Sequence, residues 1–280
     1  LGAAACLTGN DPEKVAQLPH PAFDKRECLI QTCQRLDYDR SYRVAGASVV
    51  YADTYADLEA RLKEGRTALV PILSTIDRQG LFGPPQRRDR ATPVSEDLVP
   101  HEEMIALAHG YGVPVLVDIG SDLPPWGNVE RYQKAGADLL VISGGKVLGG
   151  PQASGLLVGR ADLVEAARMN AYPNSQLGRG MKVGKEQVIG LIVALVAVVG
   201  MTIFLFRLFR GMQAQVGGLA PLAARYGGFS SRASLWTALL SSGGLAGLAG
   251  ALEATGPLGQ LTPYVPVGYG FAAIIVAFVG

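Results

Sequence analysis

The sequence predicts an α/β domain with a largely parallel sheet, followed by an all-α segment of membrane character. Three observations lead there. Short apolar runs alternate with amphipathic ones over the first 186 residues, Gly, Pro and Asp punctuate them, and charge nearly vanishes afterwards. Of 280 residues 49% are hydrophobic, and 25 basic residues against 24 acidic ones give a formal net charge of +1. That balance suits ordinary cores and argues against a nucleic-acid binder. Beyond Glu186 the charged residues are Arg207, Arg210, Arg225, Arg232 and Glu253, so the two regions are matched to different solvents.

In chain order, "ASVVYA" (Ala47 to Ala52), "TALVPIL" (Thr67 to Leu73), "VPVLVDI" (Val113 to Ile119), "ADLLVIS" (Ala137 to Ser143) and "SGLLVG" (Ser154 to Gly159) read as buried strands. Between them "PHEEMIALAHGYG" and "GNVERYQKAGA" carry apolar residues at helical spacing, each closed by a glycine. The polar stretch from Asp77 to Val99 reads as a solvated linker rather than a lid. Cys6, Cys28 and Cys33 are odd in number and lack C-x-x-C spacing, which predicts reduced thiols. His20, His101 and His109 lack metal-ligand spacing and read as surface residues, and no metal site is expected. The N-terminal residues have neither a basic region nor a long apolar one, so no signal peptide is expected.

In an open α/β sheet, ligands collect at the carboxyl ends of the strands. Asp118 ends one such strand and Ser143 the next, with Lys146 just beyond, between two apolar runs where a buried ammonium is costly unless paired or neutralised. "GGKVLGG" is not a P-loop, because Val147 stands where a hydroxyl residue holds magnesium. A lysine and an aspartate converging on one sheet edge is the layout of a pyridoxal-phosphate site, in which the lysine forms the Schiff base and the carboxylate faces the pyridinium nitrogen. Ser143 and the amides of Gly144 and Gly145 are candidates for phosphate oxygens. The bland alternative is a surface lysine in a glycine-rich turn and an aspartate that caps a helix. Spacing alone leaves both open.

"VPVLVDIGSDLPP", "SGGKVLGGPQASGLLVGR" and "GRGMKVGKEQVIGL", in this order, resemble the pyridoxal-phosphate enzymes related to selenocysteine synthase, L-seryl-tRNA(Sec) selenium transferase. The resemblance runs from about Leu1 to Leu195 and implies a fold-type I pyridoxal-phosphate-dependent transferase-like domain. It also implies Lys146 as the cofactor lysine, Asp118 as the pyridinium partner, Ser143 on the phosphate side and Gln152 on the same edge. Arg179 and Lys182 become candidates for a substrate carboxylate or phosphate. The selenium transferases read G-D-K where this chain has Gly144-Gly145-Lys146. The G-G-K form looks more like the ammonia-lyases acting on glucosaminate 6-phosphate, which implies a small amino acid or amino-sugar acid rather than a tRNA. In "IQTCQRLDYDRSYRVAGA" the chain keeps Arg35, Tyr38 and Asp39 of the family pattern but has Gln34 where a histidine is expected. "LGAAACLTGNDP" looks like the end of the helix that cradles the cofactor phosphate, so the cradle is expected before residue 1 and cofactor affinity is expected to suffer. The implied chemistry is α-proton abstraction and β-elimination, by a lyase or selenium transferase, in a cytoplasmic homo-oligomer.

Val188 to Phe206 is an uncharged run of 19 residues. As a helix it would span about 28 Å at ~1.5 Å per residue, near the thickness of a bilayer core. A second apolar run covers Ala233 to Leu252 and a third begins near Phe271, with the four arginines marking the first loop as cytoplasmic. "GGLAPLAARYGGFSSRASLWTALLSSGGLAGLAGALE" with "VPVGYGFAAIIVAFVG" resembles ABC-transporter permeases of the sugar, nucleoside and branched-chain amino acid importer class. Ala223 to Gly228 then implies a loop that couples to an ABC ATPase subunit. The two resemblances meet inside one apolar helix, between Ile189 and Met201, with no linker. The sequence thus predicts a composite of an enzyme domain, 1–195, and a permease fragment, 196–280. An unlinked join inside a helix is not expected of a natural domain fusion, whose boundaries fall in exposed linkers.

Overall fold

The computed structural model describes residues 1–76, 98–120, 122–123 and 125–255. They form two compact units, Leu1–Gly184 and Lys185–Gly280. The spatial boundary thus falls upstream of the division at residue 195 expected from sequence, because the helix holding the expected seam is continuous.

The first unit is built on six strands, β1 (Glu27–Gln31), β2 (Ser48–Ala52), β3 (Thr67–Leu73), β4 (Val115–Asp118), β5 (Leu139–Ser143) and β6 (Gly155–Gly159), in the order β2-β1-β3-β4-β5-β6. Every neighbouring pair is parallel except β5 and β6. The central strands read as unbroken apolar runs because helices cover both faces of such sheets. Leu69, Val115, Val117 and Leu139 are fully buried.

Helices α1 (Gly2–Thr8), α2 (Pro12–Gln17), α3 (Arg40–Val44), α4 (Tyr55–Lys63), α5 (His101–Gly110), α6 (Gly127–Ala135) and α7 (Ala161–Asn170) complete the unit. Their ends follow from local chemistry. Thr54 caps α4 by accepting from Asp57 N at 3.2 Å, and Gly136 closes α6 with φ +94°. The five strands expected from sequence and the two helices between them are present. Strand β1 is an addition, and the Asp77–Val99 segment lies almost wholly outside the described residues.

His101, expected at the surface, is fully buried. It opens α5 against α6, with Nδ1 2.8 Å from Tyr132 Oη and Nε2 2.6 Å from Ile76 O. His109 is exposed, yet its Nε2 lies 2.8 Å from Oδ2 of the buried Asp138. The three cysteines are free thiols. Burial pushes Cys6 up to about 12, which keeps it protonated.

The second unit contains α8 (Lys185–Arg207), α9 (Phe209–Leu219), α10 (Pro221–Tyr226) and α11 (Ser231–Thr255). Among the described residues α8 alone is long and apolar enough to cross a membrane. The second expected span does fold as a helix, α11. The third, from Phe271, lies outside the described residues.

Candidate active site

Parallel strands deliver their C-terminal residues to one edge. There β4 ends at Asp118, β5 at Ser143, and Lys146 sits in the turn that follows. The three side chains converge on Gly120. A β-carbon at that position would lie 2.9 Å from Asp118 Oδ1, 3.6 Å from Ser143 Cβ and 3.7 Å from Lys146 Nζ. The chain therefore has glycine where a side chain would fill the space between carboxylate and amine. The Gly120 amide also donates to Asp118 Oδ1 at 2.8 Å, fixing the carboxylate. Asp118 and Ser143 are half-buried and Lys146 is exposed, so the cost of a buried ammonium does not arise.

The segment between β5 and β6 folds back on itself. Gly144 N donates to Ser154 O at 3.0 Å and Gln152 Nε2 donates to Gly145 O at 2.9 Å. A β-carbon on Gly145 would come within 2.6 Å of Gln152 Cα. Close packing of the returning chain accounts for this glycine. It also corrects one expectation, because the Gly144 amide is committed to Ser154 and is not open to a phosphate oxygen. Gln152, expected to line the site, braces the lysine turn through its side-chain amide.

Arg179 and Lys182 are gathered around Tyr172. The Arg179 guanidinium carbon lies 5.0 Å and Lys182 Nζ 5.6 Å from the Tyr172 ring centre, and Arg179 Nη1 donates to Pro173 O at 2.8 Å. Of the upstream residues, Asp39 is buried and accepts from Tyr51 Oη at 3.1 Å, Arg35 lies over the Tyr51 ring at 5.0 Å, and Tyr38 is exposed. These are contacts that organise the segment after β1.

Two polar residues on the same edge carried no chemical signal in the sequence. Gln34 follows β1 and Ser74 follows β3, and both are buried. Gln34 stands out only as the residue at a position where the family resemblance leads one to expect histidine. A depression of about 410 Å³ between α4 and α5, lined by Tyr55, Leu107 and Tyr111 among others, contains none of the residues at this edge.

Residues 95–201 match the family model described as SelA, L-seryl-tRNA selenium transferase. Among curated proteins the chain is 32% identical over 202 residues to a 5'-C-glycyluridine monooxygenase-decarboxylase of a Streptomyces species, covering 69% of this chain and 45% of the relative. It is 37% identical over 195 residues to the L-seryl-tRNA(Sec) selenium transferase of Edwardsiella ictaluri, covering 65% of this chain and 39% of the relative. A solved structure of D-glucosaminate-6-phosphate ammonia-lyase superposes with a TM-score of 0.56 at 24% identity, over 71% of this chain and 50% of that one. The chain spans less than half the length of these two curated relatives. The comparisons establish homology to SelA-like enzymes and an α/β fold of the fold-type I transferase class. The homologues and structural neighbours are pyridoxal-phosphate-dependent.

Proposed function

We propose that the α/β unit is a pyridoxal-phosphate-dependent lyase or transferase domain acting on a small amino acid or amino-sugar acid. The observation that carries this reading is the convergence of Asp118, Ser143 and Lys146 on the side-chain-free position at Gly120. The donor set fits the pyridine end of the cofactor, with a fixed carboxylate for the ring nitrogen and an amine for the aldehyde carbon. When bound, the cofactor supplies an electron sink for a carbanion at the substrate α-carbon.

Within that arrangement Asp118, held by the Gly120 amide, keeps a proton at the ring nitrogen. Lys146, exposed at the mouth of the site, takes the proton from the substrate α-carbon as general base. For a β-hydroxy substrate, loss of hydroxide from the β-carbon and hydrolysis then release ammonia and a 2-keto acid. Addition of a selenium nucleophile would instead make the unit a transferase. The relatives named above include a decarboxylase, a transferase and a lyase, which supports a carbanion at the substrate α-carbon as the shared feature and not one outcome. An oligomer and a cytoplasmic location for this unit belong to the same proposal.

The test is covalent. Pyridoxal phosphate added to the protein and reduced with borohydride is expected to leave a pyridoxyl group on Lys146 in the peptide map. Label on Lys182 or Lys185, with none on Lys146, would overturn the assignment.

A second reading concerns residues 196–280, proposed as a permease fragment with an ABC ATPase partner. The membrane-length helix α8 supports membrane insertion, and the wording of 217–280 supports the permease class. The full chain is expected to stay with the membrane pellet on alkaline carbonate extraction, and deletion of 188–206 to release it. Release of the undeleted chain would sink this reading.

A further inference from the structure

Strands β1, β3, β4 and β5 lie side by side in that order and run parallel. The residues that follow them therefore share one edge, and they include Gln34, Ser74, Asp118 with Gly120, and Ser143 with Lys146. Gln34 closes a short 3-10 turn, Thr32–Gln34, and is 4% exposed. Its Oε1 accepts from Leu73 N at 3.0 Å. Because a backbone N–H needs an acceptor, that bond fixes which end of the carboxamide is oxygen. It also carries the side chain across to the end of β3, where Leu73 is in register with Asp118 of β4.

The other end of the carboxamide, Nε2, is buried and has no hydrogen-bond partner among the described residues. Ser74, the residue just beyond β3, donates its backbone N–H to Asp118 O at 3.1 Å, and its hydroxyl is likewise buried with no partner among the described residues. A buried donor left unmet is destabilising, because it has given up water without gaining a partner. Two of them therefore stand at the strand ends that present Asp118. Both are uncharged, and Asp118 already supplies the negative charge, so the complementary group is an oxygen acceptor.

We infer that Gln34 is a ligand-binding residue of this edge, its Nε2–H donating to an oxygen of the molecule held beside Asp118, with the Ser74 hydroxyl as a second uncharged donor. This rests on the pyridoxal-phosphate reading. The acceptor is the phenolic oxygen of the cofactor or an oxygen of its amino-acid substrate.

Gln34→Glu removes the N–H while its carboxylate still accepts from Leu73 N. Ser74→Ala, which adds no charge, is measured beside it to separate loss of a donor from the effect of a new carboxylate near Asp118. The full chain in detergent is titrated with pyridoxal phosphate by visible absorbance, and the loaded protein is then titrated with L-serine. A cofactor Kd raised about tenfold, the worth of one hydrogen bond, assigns the acceptor to the cofactor. An unchanged cofactor Kd with a serine Kd raised about tenfold assigns it to the substrate. Both constants unchanged, with wild-type Lys146 still labelled by pyridoxal phosphate and borohydride, overturn the inference and leave the cofactor reading standing. Wild-type protein that gives no such label removes the cofactor reading itself, and the inference with it. Should Gln34→Glu fail to fold, Ser74→Ala, which leaves the Leu73 bond in place, carries the same test, and unchanged constants there overturn the inference.

Discussion

Lys146→Ala is expected to slow α-proton exchange by about 10²–10⁴-fold, the usual contribution of a positioned general base. The measurement is deuterium uptake at the α-carbon of L-serine, with pyridoxal phosphate in excess. The melting temperature should barely move, because Lys146 is exposed and surface substitutions usually fall within about 0.5 kcal/mol. Asp118→Asn separates the two roles at the edge. The amide oxygen of Asn can still accept from Gly120 N, so the fold is expected to survive, while the charge facing the ring nitrogen is lost. A charge-assisted hydrogen bond is worth roughly 1.5–3 kcal/mol, or about 10–100-fold in rate. Equal exchange rates in Asp118→Asn and wild type would return Asp118 to a purely structural role at the strand end.

These residues were legible in the sequence because parallel-sheet topology ties strand ends to one edge. Once "VPVLVDI" and "ADLLVIS" are strands, Asp118 and Ser143 must be neighbours, and Lys146 follows within a turn. Strand β1 was not legible for a comparable reason. Its apolar core is only Cys28, Leu29 and Ile30, flanked by two buried polar residues that look like loop chemistry. Glu27 is held by Arg66 at 3.3 Å, and Gln31 by Val99 N at 3.1 Å and by Asp53 O at 3.0 Å. Those partners are distant in sequence, so no local pattern announces them. The same holds for His101, whose burial depends on Tyr132 in a different helix, and for Gln34, whose anchor is the backbone of β3. In the second unit an uncharged run identifies α8 by composition alone, whereas the mutual arrangement of small-residue helices is not written in hydropathy.

The largest stability effect is expected at Asp138, at the opposite edge of the sheet from Lys146. Its side chain is 4% exposed and gathers three donors: Val115 N at 2.7 Å, His109 Nε2 at 2.8 Å and Arg160 Nη1 at 2.7 Å. These ties join the starts of β4 and β5 to the end of α5 and to Arg160, just after β6. Burial by itself would raise the Asp138 pKa, but the Val115 amide, Arg160 and His109 outweigh it and hold the carboxyl below its usual value. A group with a depressed folded pKa contributes stability above its unfolded pKa, and that contribution is lost as pH falls through the folded value. Asp138→Ala should therefore cost about 1–3 kcal/mol near neutral pH, because the buried Val115 amide loses its acceptor while the exposed Arg160 and His109 turn to water. The deficit relative to wild type should begin to shrink once pH drops below the ordinary aspartate value of about 4, and continue to shrink at lower pH. Asp138→Asn keeps an acceptor for Val115 N and should cost less. Urea unfolding of the full chain in detergent at a series of pH values measures all three. A deficit that stays constant from neutral pH into the acid range would mean that the carboxylate charge contributes nothing, and that Asp138 acts only as a packed hydrogen-bond acceptor.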